Sequence, residues 1–89
     1  MVFYVYILES EVDQSWYKGY SADYMRRLHE HNSGLSQFTS TRIPWKLIYV
    51  EACKSKSAAI IRERSLKRAN REYVKWLITQ PCNILNEKG

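Results

Sequence analysis

Only two of the 89 residues are cysteine, three are glycine and two are proline. Cys53 and Cys82 stand alone, with no Cys-x-x-Cys pair and no metal-ligand spacing, which excludes a disulfide framework, a thiol redox motif and a zinc ribbon. So few glycines leave little for a phosphate-cradling loop, and neither a Gly-x-Gly-x-x-Gly nor a Walker-type sequence occurs. No apolar stretch approaches the roughly 20 residues that a membrane helix needs. The longest early run, Val2 to Leu8, is short, is followed by Glu9 and Glu11, and has neither a basic leader nor a small-residue cleavage site. These absences predict no membrane association and a cytoplasmic location. The length excludes a two-domain enzyme with its own cofactor module and predicts a single domain over residues 1–89, with its core in about 3–79.

What is present fits a folded chain: 45% of residues are hydrophobic, 13% aromatic and 26% charged. The 14 Lys and Arg against 9 Asp and Glu give a net charge of +5, which suggests a polyanionic partner. The charge is unevenly spread. Residues 1–51 carry five basic and six acidic groups, whereas residues 52–89 carry nine basic and three acidic ones. The excess lies in Lys54, Lys56, Arg62, Arg64, Lys67, Arg68, Arg71 and Lys75, which reads either as a solvated helix face or as a face that tracks phosphates.

Phe3 to Leu8 is β-branched and aromatic and predicts a strand. A polar link leads to a second strand, Ser15 to Tyr20, so the pair forms a hairpin. A helix follows over about 22–31, with Ser21 as its N-cap and Asp23 in its first turn. Its Tyr24 and Leu28 share the core face, and Asn32-Ser33-Gly34 ends it. Leu35 to Pro44 has no sustained period and reads as a loop. Trp45 to Val50 predicts a third strand. Ser55 or Ser57 caps a second helix over about 56–68. Asn70 caps a third over about 71–79, whose apolar face is drawn through Tyr73, Trp76 and Leu77. The order β-β-α-β-α-α predicts an α+β domain.

One residue of the second helix is out of place. Ala59, Ile60 and Leu66 lie along one stripe, and Glu63 shares it, although spacing also allows a stripe through Ala58 and Ile61. A lone carboxylate facing inward needs a partner, either an arginine or a metal ion in a cleft. On the first helix Arg27 and His31 are four apart and point the same way. Tyr4 and Tyr6 share one face of the first strand, and Tyr17 lies on its partner.

Taken together, Tyr4-Val5-Tyr6, Tyr17-Lys18-Gly19, the helix run Arg26-Arg27-Leu28-His29-Glu30-His31-Asn32 with Gly34 after it, and the late Arg62-Glu63 resemble the GIY-YIG nuclease superfamily. The likeness is closest to its small single-domain bacterial members and spans residues 3–79. The resemblance implies a three-stranded antiparallel sheet flanked by helices. It also implies cleavage of DNA phosphodiester bonds with a single divalent ion, Mg²⁺ or Mn²⁺. Carried over one by one, Tyr6 and Tyr17 match the two motif tyrosines, Arg27 the catalytic arginine, His31 a histidine of some members, and Glu63 the metal-binding glutamate. Four positions depart from the pattern. Lys18 replaces an aliphatic residue, Tyr4 the first-motif glycine, Tyr20 a lysine of some relatives, and Lys75 an asparagine of larger ones.

Those residue types suit the chemistry. Phosphodiester hydrolysis needs an in-line water, charge stabilisation and help for the leaving oxygen. Glu63 is a hard oxygen donor suited to Mg²⁺, and one carboxylate suffices if the phosphate supplies another ligand. Arg27 can fork onto phosphate oxygens. Tyr17 is a candidate general base, a role that requires a neighbouring cation because a free tyrosine titrates near pH 10. Tyr6 would orient water or phosphate, and His31 is the competing base or a phosphate ligand. Lys18, Arg26, Arg62, Lys67, Arg68 and Arg71 are the candidate DNA-backbone contacts. The leading reading is a metal-dependent DNA endonuclease. The others are a non-catalytic nucleic-acid-binding module of the same fold, and a protein-interaction domain. A protein partner or a homodimer would supply the targeting for which so short a chain has no separate domain.

Overall fold

The β-branched and aromatic run near the start forms strand β1 (Phe3–Ser10). In the computed structural model, which describes residues 2–86, β1 is the middle of a three-stranded antiparallel sheet. A polar turn returns the chain as β2 (Trp16–Ser21), and β3 (Trp45–Cys53) pairs with the other side of β1. Helix α1 (Tyr24–Asn32) links β2 to β3, and α2 (Lys56–Arg68) and α3 (Arg71–Ile78) follow β3. The architecture is α+β in the order β-β-α-β-α-α. Single 3-10 turns add Ser40–Arg42, within the stretch read as loop, and Ile84–Asn86.

The two-residue period of β1 divides the core in two. Val5 and Ile7 point to one face, where they meet Tyr49 of β3, Ala59 and Leu66 of α2, and Val74 and Leu77 of α3. Tyr6 and Leu8 point to the other, where they meet Trp45 and Val50 of β3 and the half-buried Tyr24 and Leu28 of α1. Val5, Ile7, Leu8 and Leu66 are wholly buried, and each such side chain contributes roughly 1.5–3 kcal/mol. The register slips between Ile7, opposite Tyr49, and Leu8, opposite Leu47. Ile48 is therefore a bulge residue, which turns it to the α2 face and leaves Leu47 facing α1.

Local chemistry fixes the helix ends. Ser55 Oγ accepts from the Ala58 amide at 3.1 Å and Asn70 Oδ1 from the Tyr73 amide at 2.8 Å, so α2 and α3 start where their caps indicate. The start of α1 differs from the sequence reading. Ser21 remains in β2, opposite Tyr4, and Asp23 is the cap, its Oδ1 accepting from the Arg26 amide at 3.0 Å. At the other end Gly34, at φ +80°, closes α1. Its amide bonds the His31 carbonyl at 3.2 Å and the Leu35 amide bonds the Glu30 carbonyl at 3.2 Å.

The buried face of α3 also differs. Val74 and Leu77 enter the core, while Tyr73 (42% exposed) and Trp76 (55% exposed) project outward with ring centroids 5.7 Å apart. The compact aliphatic pair, three residues apart, fits against Val5 and Ile7. Tyr73 instead turns its hydroxyl toward Arg62. The outer edge of β3 is closed by the buried Asn83. Its Oδ1 accepts from the Val50 amide at 3.1 Å, and its Nδ2 donates to the Ile48 and Ile78 carbonyls at 3.0 and 2.9 Å.

Candidate active site

Tyr6, in the middle of β1, pairs across the ladder with Gly19 of β2. A β-carbon at position 19 would stand 2.7 Å from the Tyr6 hydroxyl oxygen, 2.8 Å from its Cζ and 3.2 Å from Tyr17 Cε2. The glycine is what lets the Tyr6 ring lie flat over the neighbouring strand. Tyr17 points to the same face, its ring centroid 6.5 Å from that of Tyr6.

Helix α1 supplies the other two groups. His31 is buried in its last turn, with its ring centroid 4.6 Å from Tyr17 and 6.4 Å from Tyr6. His31 Nδ1 is 2.8 Å from Thr39 Oγ1, and the Thr39 hydroxyl donates in turn to the Ser36 carbonyl at 3.5 Å. With the proton on Nδ1, Thr39 accepts from the ring and Nε2 faces the Tyr6 hydroxyl across a long 3.5 Å contact. Trp45 Nε1 donates to the Thr39 carbonyl at 2.9 Å and pins the loop beneath the imidazole. Burial, followed by the nearby Arg27 charge, pushes His31 below its ordinary value, so it is a neutral imidazole near pH 7.

Arg27, one helical turn earlier, presents its guanidinium to the Tyr6 hydroxyl. Its Nη1 donates to Glu30 Oε1 at 2.7 Å, while Glu30 Oε2 accepts from Arg26 Nε at 3.0 Å. Partial desolvation opposes the charged form of Glu30, but the bonds from Arg27 and Arg26 outweigh it and hold the carboxyl below its ordinary value. Burial pushes the Tyr6 hydroxyl up, and Arg27 offsets this only in part. Tyr6 and His31 are buried to within 1% of their surface, whereas the Arg27 side chain remains 39% exposed and Tyr17 is half-buried. Arg27 and Tyr17 are therefore the members of the cluster that a ligand in solvent can reach.

The structure brings four of the five expected catalytic residues into one cluster: Tyr6, Tyr17, Arg27 and His31. Glu63 stands elsewhere. It shares the inward stripe of α2 with Ala59 and Leu66, its side chain is 13% exposed, and its ionic partner is Lys67 at 3.4 Å. That helix packs on the opposite sheet face, against β1 and β2. Among the described residues no hydrogen bond or ion pair joins Glu63 to the cluster. No group of three or more His, Cys, Asp or Glu that could hold a metal gathers there either. The donor chemistry of Glu63, one hard carboxylate, still fits an ion that keeps most of its waters and takes phosphate oxygens as further ligands.

The candidate backbone contacts separate into engaged and open groups. Arg26 and Arg27 share Glu30. Arg62 Nε is bound to Glu51 Oε1 at 3.0 Å, within a half-buried network in which the Tyr49 hydroxyl also donates to Glu51. Arg68 is exposed, and Lys18, Lys67 and Arg71 flank the α2 side of β2. Sequence reasoning missed Glu30 and Thr39. The spacing of Glu30, four from Arg26 and three from Arg27, was a readable signal. Thr39 lies in an aperiodic loop, and nothing local links it to His31.

Comparison with known proteins agrees with this fold. A family model described as the GIY-YIG catalytic domain matches residues 2–75. A UPF0213 protein of Haloquadratum walsbyi is 39% identical over 82 residues, covering 91% of each chain. A UPF0213 protein of Streptococcus pneumoniae serotype 4 is 46% identical over 86 residues, covering 93% of this chain and 86% of that one. The solution NMR structure of a UPF0213 protein from Bacillus halodurans superposes with a TM-score of 0.57 at 39% identity, over 89% of this chain and 84% of that one.

Proposed function

This chain belongs to the GIY-YIG catalytic domain family, a nuclease family, and from that premise we propose that it is a metal-dependent endonuclease hydrolysing DNA phosphodiester bonds. The observation that carries the proposal is the convergence of Tyr6, Tyr17, Arg27 and His31, from two strands and a helix, on one sheet face.

The reachable groups meet the substrate. Arg27 forks onto the non-bridging oxygens of the scissile phosphate and stabilises the charge that develops there. The Tyr17 hydroxyl orients the attacking water. Tyr6 holds Arg27 in place, and the neutral His31, beside Thr39, takes the hydrogen bond of the Tyr6 hydroxyl and keeps the Tyr6 oxygen turned to the guanidinium. Glu63 is the residue that would hold Mg²⁺ or Mn²⁺. Bound there, the ion would supply Lewis-acid charge from the α2 face, so polarising the phosphate held by Arg27 requires Glu63 to reach round the β2 edge. The placement of Glu63 against Lys67, on the far side of the sheet, favours the second reading, a non-catalytic nucleic-acid-binding module.

One assay separates the two. Purified protein is incubated with single-stranded, duplex and branched DNA in Mg²⁺, Mn²⁺ or EDTA, beside Glu63→Ala. Metal-dependent nicking that Glu63→Ala loses, while it still binds DNA, is the expected result. Binding without cutting on any substrate with either metal contradicts the nuclease and favours the binding module.

A further inference from the structure

Trp16 opens β2 on the face that packs α2, and two cations share its indole. The guanidinium carbon of Arg71 is 3.8 Å from the ring centroid, and the Lys18 ammonium is 5.9 Å from it. Both are held in place. Arg71 Nη2 donates to the Gln14 carbonyl at 3.0 Å, and Lys18 Nζ donates to the Leu66 carbonyl at 3.0 Å. Among the described residues neither forms an ion pair with a carboxylate. Glu9 is already engaged, accepting from Trp16 Nε1 at 3.1 Å and facing Lys46 at 3.9 Å. Burial, then the charges of Arg71 and Lys67, push the Lys18 ammonium below its ordinary value, so Lys67 belongs to the same field. Lys67 is paired with Glu63, but Lys18 and Arg71 face no carboxylate, and an anion bound between these two relieves their repulsion.

The sheet edges differ in a way that locates the ligand. The outer edge of β3 is closed by Asn83, whereas β2 is the other edge strand of the order β2-β1-β3. Tyr17 and Lys18 are consecutive and point to opposite faces of β2. The reaction cluster thus lies on one side of this edge, and the Trp16 cations, with Lys67 and its partner Glu63, lie on the other.

We propose that Trp16, Lys18 and Arg71 form a phosphate-binding site for the nucleic-acid backbone, so that a bound strand crosses the β2 edge with one phosphate at Arg27 and Tyr17 and a flanking phosphate at Lys18 and Arg71. The choice of a nucleic acid as the occupant rests on the proposed nuclease reading. The site accounts for a lysine at the centre of the second motif, where an aliphatic residue would pack the face without supplying charge.

The test is the salt dependence of DNA affinity, measured by fluorescence anisotropy with a labelled duplex from about 50 to 200 mM salt. Each phosphate contact contributes a slope of about 0.9 in log Kd against log salt. Lys18→Gln lowers the slope by part of that, and Lys18→Gln with Arg71→Gln, which releases the one flanking phosphate, lowers it by about 0.9. Arg71→Lys, which keeps the charge and loses the planar stack, retains the slope. Lys75→Gln, a charge removed from the far part of α3, leaves the slope unchanged. Thermal melts followed by circular dichroism verify folding, and if the double variant does not fold, Lys18→Gln alone decides. An unchanged slope in Lys18→Gln, an equal fall in Lys75→Gln, or no DNA binding by the wild type at 50 mM salt overturns the site. DNA that is bound with these slopes but never cut overturns the nuclease reading and leaves the site standing. Cutting with an unchanged slope does the reverse.

Discussion

Position 19 admits no side chain. A methyl group there would have to displace the Tyr6 ring, because both close contacts, at 2.7 and 2.8 Å, are with that ring. Gly19→Ala is expected to cost about 1–3 kcal/mol in urea unfolding, the range of core overpacking. It should also slow DNA cleavage more than it weakens binding, since the displaced ring is the support of Arg27. His31 makes a second residue-level prediction. Its folded value lies below its unfolded one, which is about 6.5, so the unfolded chain takes up the proton first. The stabilisation from neutral His31 is complete above that pH and is lost as the pH falls through the folded value. Denaturation midpoints measured from pH 7.5 down to 5 should therefore fall, and His31→Gln should flatten the fall. Much at this scale was legible in the order and spacing of Tyr6, Tyr17, Arg27 and His31. The partnership of His31 with Thr39 was not, because it depends on how an aperiodic loop folds back under α1.

At the scale of elements, caps and periods carried most of the information. Ser55, one of two candidate caps with Ser57, and Asn70 marked the starts of α2 and α3, because each has a short side chain able to accept from an amide three residues on. The start of α1 was misread because Ser21 and Asp23 are both capping residues. The sheet claimed Ser21 and left Asp23 to cap the helix. The α3 face differs because the i, i+3 spacing is met equally by Val74 and Leu77, and the compact Val74 takes the place in the core. Helix α1 also carries its own control over Arg27. Glu30 binds Arg26 and Arg27 together, in a solvent-facing setting where such pairs contribute little to stability. Its effect should appear in the chemistry instead. Glu30→Gln is expected to leave the melting temperature nearly unchanged, to tighten DNA binding by removing a negative charge, and to slow single-turnover cleavage about tenfold by loosening Arg27. A rate equal to that of the wild type would show that Arg27 needs no such anchor.

For the whole molecule, the sheet separates two kinds of work. The α1 face holds the tyrosines, the histidine and the arginine. The α2 and α3 face holds the larger aliphatic core, the cations around Trp16, and Glu63. The uneven charge along the chain foreshadowed this division, since the basic excess falls in the segment that forms α2 and α3. Which basic residues stand open was not legible, because that depends on pairing across elements. Arg62 is held by Glu51 of β3, and Arg71 reaches back to the β1–β2 turn. The closure of β3 by Asn83 was equally hidden, since it joins positions 33 and 35 residues apart.

The cluster on the α1 face is the proposed reaction centre. Tyr17→Phe tests it most directly, because it removes one reachable hydroxyl and keeps the ring that packs on His31. Single-turnover cleavage of DNA is measured with the protein in saturating excess and Mg²⁺ present, alongside the dissociation constant. The expected rate is at least about a hundredfold lower, because a group acting on the attacking water is lost, with affinity unchanged. A Tyr17→Phe protein that cuts as fast as the wild type would contradict it.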